Sequence, residues 1–117
     1  MINYNGKTFR SIENTPNGEV SGTTFFHYEQ DGNLVWASYS GGSIKLGKLI
    51  ATVNEKGELD MRYQHLNSNL EFRMGKCHST PEILPDGRIR LYENWQWLNG
   101  DLSTGSSIIE ETQSADI

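Results

Sequence analysis

The sequence contains only one cysteine, Cys77, and this scarcity excludes an internal disulfide bond. It also lacks an apolar run of about 18 residues, the length that a membrane-spanning helix needs. Residues 1–6 contain no basic segment followed by an apolar run, so we expect no secretory signal peptide. These absences together favour a cytoplasmic protein whose core needs neither disulfides nor metal.

Basic residues are few as well. The chain has 10 Lys and Arg against 15 Asp and Glu, a net charge of -5, and its basic residues form no cluster. Because binding to phosphates requires clustered Lys and Arg, the sequence argues against a nucleic-acid partner and against an anionic membrane surface. The hydrophobic fraction is only 35%, and aromatic residues supply much of the apolar bulk.

No window of the sequence shows the 3.6-residue hydrophobic period of an amphipathic helix, but turn signals rich in Gly, Asn and Asp recur. These residues tolerate the positive φ angles of tight hairpin turns. Seven such turns divide the chain into eight segments of strand length. The predicted turns lie at residues 16–18, 31–33, 41–42, 56–57, 67–69, 85–87 and 99–101.

The segments between the turns alternate apolar and polar residues, which is typical of strands with one buried face. The alternation is clearest in residues 33–40, 58–66, 70–80 and 88–97. Consecutive hairpins make a meander, and closing the meander removes both of its exposed edges. We therefore predict an all-β, calycin-like fold, an up-and-down antiparallel barrel of about eight strands. It forms a single domain over residues 1–117, of which the polar residues 112–117 are predicted to fray.

The apolar phase of each strand also predicts which polar residues point into the barrel. In residues 70–80 the phase of Phe72 and Met74 predicts that His78 faces inward. Barrels of this size can hold one small ligand, so we predict a site for a small, partly apolar molecule at one end of the interior. The alternative is that these groups lie at a wetted barrel mouth or satisfy one another. The predicted site residues are Trp36, Tyr63, His65, His78, Glu93, Trp95 and Trp97.

Some of these residues also permit catalysis. Glu93 with His65 or His78 can serve as acid and base if both reach a common ligand atom. Cys77 and His78 are adjacent on a strand and point to opposite faces, so we predict no nucleophile–base pair and interpret Cys77 as a small packing residue on the other face. His27, His65 and His78 include no closely spaced ligand pair; we therefore predict no metal site, and no motif indicates a cofactor.

Several short motifs occur together: residues 26–28 (FHY), 35–42 (VWASYSGG), 63–65 (YQH), 75–82 (GKCHSTPE) and 93–97 (ENWQW). With them the chain resembles, from about Gly6 to Glu111, a group of short bacterial proteins labelled N-acetylglutamate synthase. The resemblance implies an acyltransferase. The hairpin rhythm and the Trp-rich late strand are also similar to lipocalin-like and avidin-like meander barrels, which enclose small ligands with aromatic side chains.

Three hypotheses of function follow from the sequence. The first is a barrel that binds a small molecule in its interior, and the second is the N-acetylglutamate synthase-type acyltransferase that the resemblance implies. The third is a protein-interaction module that uses the outer face of the barrel, which a large exposed apolar patch would favour. The sequence does not indicate an oligomeric state.

Overall fold

The computed structural model describes residues 2–112, and its strands close into one antiparallel barrel. Each strand pairs with its neighbours in sequence, and the last strand pairs with the first to complete the ring. The prediction of an all-β up-and-down barrel is confirmed, and the predicted turns fall at the ends of these strands or between them. The strands are β1 (Lys7–Asn14), β2 (Phe25–Asp31), β3 (Leu34–Gly41), β4 (Ile44–Val53), β5 (Leu59–Asn67), β6 (Phe72–Ile83), β7 (Ile89–Trp97) and β8 (Thr104–Glu111).

Strand β3 illustrates how pairing decides which residues face the interior. Its register with β2 sets Tyr39 opposite Phe26 and Ala37 opposite Tyr28, and all four side chains are buried. Because paired residues share a face, the alternate residue Trp36 points outward and is 39% exposed. The prediction that Trp36 faces the interior is therefore wrong.

The N-terminal residues close one end of the barrel. Tyr4 is fully buried, and its hydroxyl donates a hydrogen bond to the carbonyl of Gly57 in the β4–β5 turn. Its ring packs against Phe9 and Tyr28, whose own ring centroids are 4.8 Å apart. An opening to the interior must therefore lie at the opposite end, where β1 ends and β2 begins.

Three aromatic rings of the inner face lie across glycines of the next strand. The cross-strand pairs are Tyr39 with Gly47, Tyr63 with Gly75 and Trp95 with Gly105. In each pair the ring occupies the position where a Cβ atom on the glycine would stand. The glycines therefore let the rings lie along the wall of the barrel, and the axis stays partly open.

Strand β6 has the opposite phase to the predicted one. Its register with β5 pairs Tyr63 with Gly75 and Met61 with Cys77, which brings Cys77 into the interior. His78 consequently lies exposed on the outer face, as do the apolar residues Phe72 and Met74. The predictions for His78 and Cys77 are wrong because the hairpin register, and not the apolar pattern of one strand, decides which face is inside.

The predicted frayed tail is only partly described. The backbone N–H of Thr112, its first residue, donates a hydrogen bond of 2.8 Å to the carbonyl of Thr8. The rest of that tail, residues 113–117, lies outside the described residues. In the part of the chain that the structure describes, no helix is long and apolar enough to cross a membrane.

Replacement of Gly75 by Ala tests the packing of rings on glycines. The added Cβ would overlap the ring of Tyr63, so we expect a loss of about 1–3 kcal/mol in the free energy of unfolding, measured by urea denaturation. In a Tyr63→Ala background the same substitution should cost almost nothing. Gly22→Ala is the control, because its nearest neighbour atom would be 3.7 Å from the new Cβ. An equal loss in both backgrounds would contradict the interpretation.

Candidate functional site

A small cavity lies inside the barrel beneath the β1–β2 connection. Its volume is about 50 Å³, which is room for about four water-sized groups. Its largest group of lining residues carries rings, and the lining also includes apolar side chains of β4 and β5, polar groups of β1, β7 and β8, the thiol of β6 and residues of the β1–β2 connection. The ring-bearing residues of the lining are Phe26, Tyr39, Tyr63, His65, Trp95 and Trp97.

The rings form a connected wall around the cavity. Phe26 stacks on Tyr39 with centroids 4.9 Å apart, and the edge of His65 meets Tyr39 at 5.6 Å. The ring centroid of Trp97 lies 5.8 Å from that of His65 and 5.4 Å from that of Trp95. Such contacts restrict each ring to one orientation, so the cavity has a defined shape before any molecule enters it.

A row of four polar side chains crosses the inner wall beside the rings. Asn14 pairs with Ser107, Ser107 with Glu93, and Glu93 with Ser79, so the row spans β1, β8, β7 and β6. The hydroxyl of Ser107 donates to Glu93 Oε1 at 2.8 Å, and the hydroxyl of Ser79 donates to Oε2 at 3.3 Å. Among the described residues, no cationic side chain contacts this carboxylate.

The surroundings of Glu93 bring its titration into the neutral range. Burial raises its pKa to about 7, and the hydrogen bonds from Ser107 and Ser79 only partly oppose the shift. The reason is that two neutral hydroxyl donors do not replace the water that would solvate a carboxylate. Glu93 can therefore take up or release a proton near pH 7.

Four buried side-chain polar atoms make no hydrogen bond to any described residue: Arg10 Nε, Asn14 Oδ1, Tyr28 Oη and Arg73 Nε. Of these, Asn14 Oδ1 belongs to a residue that lines the cavity. Asn14 Nδ2 donates to the carbonyl of Val20 at 2.9 Å, so the orientation of the amide is set and its oxygen remains an unused acceptor. An unsatisfied buried polar atom costs about 1–3 kcal/mol, so a donor placed against Asn14 Oδ1 would be favourable.

The β1–β2 connection, residues 15–24, covers the mouth, and Glu19 attaches it to the barrel. The Glu19 carboxylate accepts hydrogen bonds from His65 Nε2 at 2.8 Å, from Arg73 Nη1 at 3.0 Å and from Asn67 Nδ2 at 3.2 Å. The Glu19 side chain itself is only 19% exposed. We call residues 15–24 the mouth loop.

His65 joins the mouth loop to the aromatic wall. The carboxylate of Glu19 only accepts hydrogen bonds, so Nε2 of His65 carries the ring proton. The other ring nitrogen, Nδ1, accepts a hydrogen bond of 3.0 Å from the hydroxyl of Tyr39. Burial lowers the pKa of His65 despite the opposing effect of Glu19, so the ring is neutral near pH 7. The same histidine therefore belongs to both the cavity wall and the loop attachment.

The structure brings five of the predicted site residues to the cavity. They are Tyr63, His65, Glu93, Trp95 and Trp97. Trp36 and His78 lie on the outer face, so neither reaches the cavity, and His78 is not a partner for Glu93. Cys77 faces the cavity, and burial raises the pKa of its thiol, which makes it a poor nucleophile near neutral pH.

Sequence reasoning missed Glu19, Asn14 and Tyr39. One signal was available for Glu19: residues 15–24 make a longer connection than a tight hairpin needs, and long loops often cover sites. Asn14 and Tyr39 carried no such signal, because their role depends on the pairing of β1 with β8 and of β3 with β2. Within residues 2–112, no group of three His, Cys, Asp or Glu could hold a metal ion.

Replacement of Glu93 by Gln tests the cost of this buried acid. As pH rises from about 4.5, the carboxyl group ionises first in the unfolded chain, while the folded state keeps its proton until pH is near 7. Stability should therefore fall across this interval by up to about 3 kcal/mol in the wild type.

The Glu93→Gln variant should lack this contribution. The unfolding free energy of each protein is measured by urea denaturation at pH 4.5, 6 and 8. The value for the variant minus the value for the wild type should increase as the pH rises. His65 titrates in both proteins, so its effect cancels in the difference. Glu55→Gln, at an exposed turn position, is the matched control. A difference that does not change with pH would refute the assignment.

Comparison with families of known proteins identifies a match over nearly the whole described chain. A family model described as "Avidin-like protein" matches residues 2–112, which is nearly the whole chain. No curated protein and no solved structure matches the chain. The resemblance to proteins labelled N-acetylglutamate synthase thus receives no support, whereas the similarity to avidin-like barrels does.

Proposed function

The chain belongs to the avidin-like protein family, and from this premise we propose that it binds a small, partly apolar molecule inside its barrel. The observation that carries the proposal is the cavity at the mouth. It combines a wall of fixed rings with a short row of polar groups, one of which, Asn14 Oδ1, is an unused acceptor. Ligand sites are typically concave and mostly apolar, with a few polar groups that fix orientation.

The size of the cavity indicates how a ligand would enter. Sites for drug-sized molecules measure roughly 300–1,000 Å³, far more than the 50 Å³ beneath the mouth loop. With the loop attached, only a head group of a few atoms fits. A larger ligand therefore requires the loop to move, and the attachment at Glu19 is the contact that must break.

The acyltransferase hypothesis has no comparable support. Acetyltransferases of the usual type have an α/β fold and grip the cofactor pyrophosphate with an Arg/Gln-x-x-Gly-x-Gly/Ala turn that opens a helix. This sequence has no such turn, and residues 2–112 form strands without a helix that could follow it.

A second candidate, an interaction module, rests on an apolar row of the outer face. Leu46, Leu66 and Phe72 are in register across β4, β5 and β6, and Phe72 is 62% exposed. Exposed apolar groups in contact with each other are typical of protein interfaces. This candidate predicts a bound protein chain and no small ligand.

Native mass spectrometry of the protein, purified gently from its own cells, tests both candidates. We expect a reproducible small-molecule adduct that disappears on denaturation and is lost in Trp95→Phe. Trp36→Phe is the matched control, since this tryptophan lies on the outer face. A bare mass, even after incubation with a small-molecule extract of the same cells, would contradict the proposal. A protein complex that Phe72→Ser abolishes would favour the interaction module.

Glu19→Ala tests the role of the mouth loop. Loss of the carboxylate removes the hydrogen bonds from His65, Arg73 and Asn67, so the loop should detach more often. The ligand for this test is the molecule found as the adduct in native mass spectrometry. We expect its association and dissociation rates, measured by stopped-flow tryptophan fluorescence, to increase at least tenfold. Glu13→Ala, an exposed glutamate of β1, should leave both rates unchanged. Unchanged rates in Glu19→Ala would mean that entry does not require this attachment to break.

A further inference from the structure

The interior of the barrel contains a carboxylate, that of Glu93, without a counter-charge among the described residues. Glu93 accepts hydrogen bonds from Ser107 and Ser79, both neutral, and no described cationic side chain contacts it. The guanidinium of Arg73, which lies over the ring of Trp97, is bound to Glu19 at the mouth. A positive charge brought into the cavity would therefore meet an unbalanced negative one.

The rings around the cavity favour the same kind of ligand. The face of an aromatic ring carries a partial negative charge, and a cation within about 6 Å of it is attracted, most strongly by Trp. Trp97 already has such a contact, because the guanidinium carbon of Arg73 lies 4.0 Å from its ring centroid. Trp95, Tyr39 and Tyr63 present further rings to the cavity itself.

The wall also contains an unused acceptor. Asn14 Oδ1 accepts no hydrogen bond from the described residues, and Asn14 lies in the same row as Glu93, with Ser107 between them. The open acceptors and the rings all suit a group that is positively charged, donates hydrogen bonds and carries apolar substituents. The volume, about 50 Å³, limits that group to roughly three to five non-hydrogen atoms beneath the mouth loop.

We propose that the ligand is an organic cation whose small alkylammonium head group is held in the cavity by Glu93, Asn14 and the surrounding rings. This inference rests on the proposed function and specifies its ligand class. An ammonium N–H donates to Asn14 Oδ1 and to Glu93, while the alkyl substituents pack against Trp95 and the neighbouring rings. The rest of the molecule extends past the mouth loop.

The site becomes more negative as the pH rises, because Glu93 loses its proton. Burial raises the pKa of Tyr28, Tyr39, Tyr63 and Cys77, which face Glu93 from β2, β3, β5 and β6, so all four are neutral below pH 9. Burial lowers the pKa of His65, so its neutral form predominates above pH 6.5. Glu19 and Arg73 form an ion pair at the mouth. Between pH 6.5 and 8.5 the main change of charge is therefore that of Glu93.

Three probes of nearly equal shape separate charge from size. The tert-butylammonium ion carries charge and donors, the tetramethylammonium ion carries charge alone, and tert-butanol is a neutral donor with the same number of non-hydrogen atoms. Binding is followed by NMR from the indole N–H signals of Trp95 and Trp97, with Trp36 on the outer face as the internal control.

At pH 8.5 we expect both cations to bind at least tenfold more tightly than tert-butanol, and tert-butylammonium to bind more tightly than tetramethylammonium. The affinity for the cations should fall about fourfold at pH 6.5, where Glu93, with its pKa of about 7, is mostly protonated. Glu93→Gln, which keeps the shape, should remove both the preference for cations and the pH dependence. Asn14→Ala should weaken the binding of tert-butylammonium more than that of tetramethylammonium, which has no N–H to donate.

Equal binding of tert-butanol and the cations, unchanged in Glu93→Gln, would overturn this inference and leave the barrel a binder of neutral molecules. If none of the three probes binds but the native mass spectrum shows an adduct, the inference of a cationic ligand is overturned and the proposed function stands. Absence of both probe binding and an adduct would overturn the proposed function as well. The dispersed NMR spectrum of each variant shows in the same experiment whether it is folded.

Discussion

Pairing of β8 with β1 is the constraint on which the rest of this structure depends. A closed sheet has no edge, so the inner faces of all strands share one space, and large side chains on one strand must be balanced by small ones on the next. Tyr63 on Gly75 and Trp95 on Gly105 are two cases of that balance. Because these rings lie along the wall, the axis is not filled, and the cavity is a direct consequence of how the barrel closes.

The interior departs from what stability alone would favour. Glu93 is buried beside two hydroxyl groups, and Asn14 Oδ1 makes no hydrogen bond to a described residue, although apolar residues of similar size would fit a core better. Groups of this kind lower stability and are typical of functional sites. The hydrogen-bonded chain from Tyr39 through His65 to Glu19 links the same cavity wall to the mouth loop, so movement of the loop and arrangement of the rings are physically coupled.

The candidate site was predictable only where a strand carries strong apolar markers of its own phase. In β7, Leu91 marks the phase that brings Glu93 and Trp95 inside, and in β5 Leu59 does the same for His65. In β6 the large apolar residues Phe72 and Met74 lie outside, and the inward positions are small because neighbouring rings occupy the space. A pattern of hydrophobicity along one strand does not contain that information.

The sequence by itself determined the all-β class, the number of strands and the approximate positions of the seven connections between them, because Gly, Asn and Asp at turns and a two-residue period in strands are local effects of backbone geometry. Only the tertiary structure decided which face of β3 and β6 is interior and which residues meet at the mouth. Glu19 and His65 are far apart in the chain and touch only because the barrel closes beneath the mouth loop. Such contacts depend on the register between strands, and register is a property of pairs of segments that neither segment encodes alone.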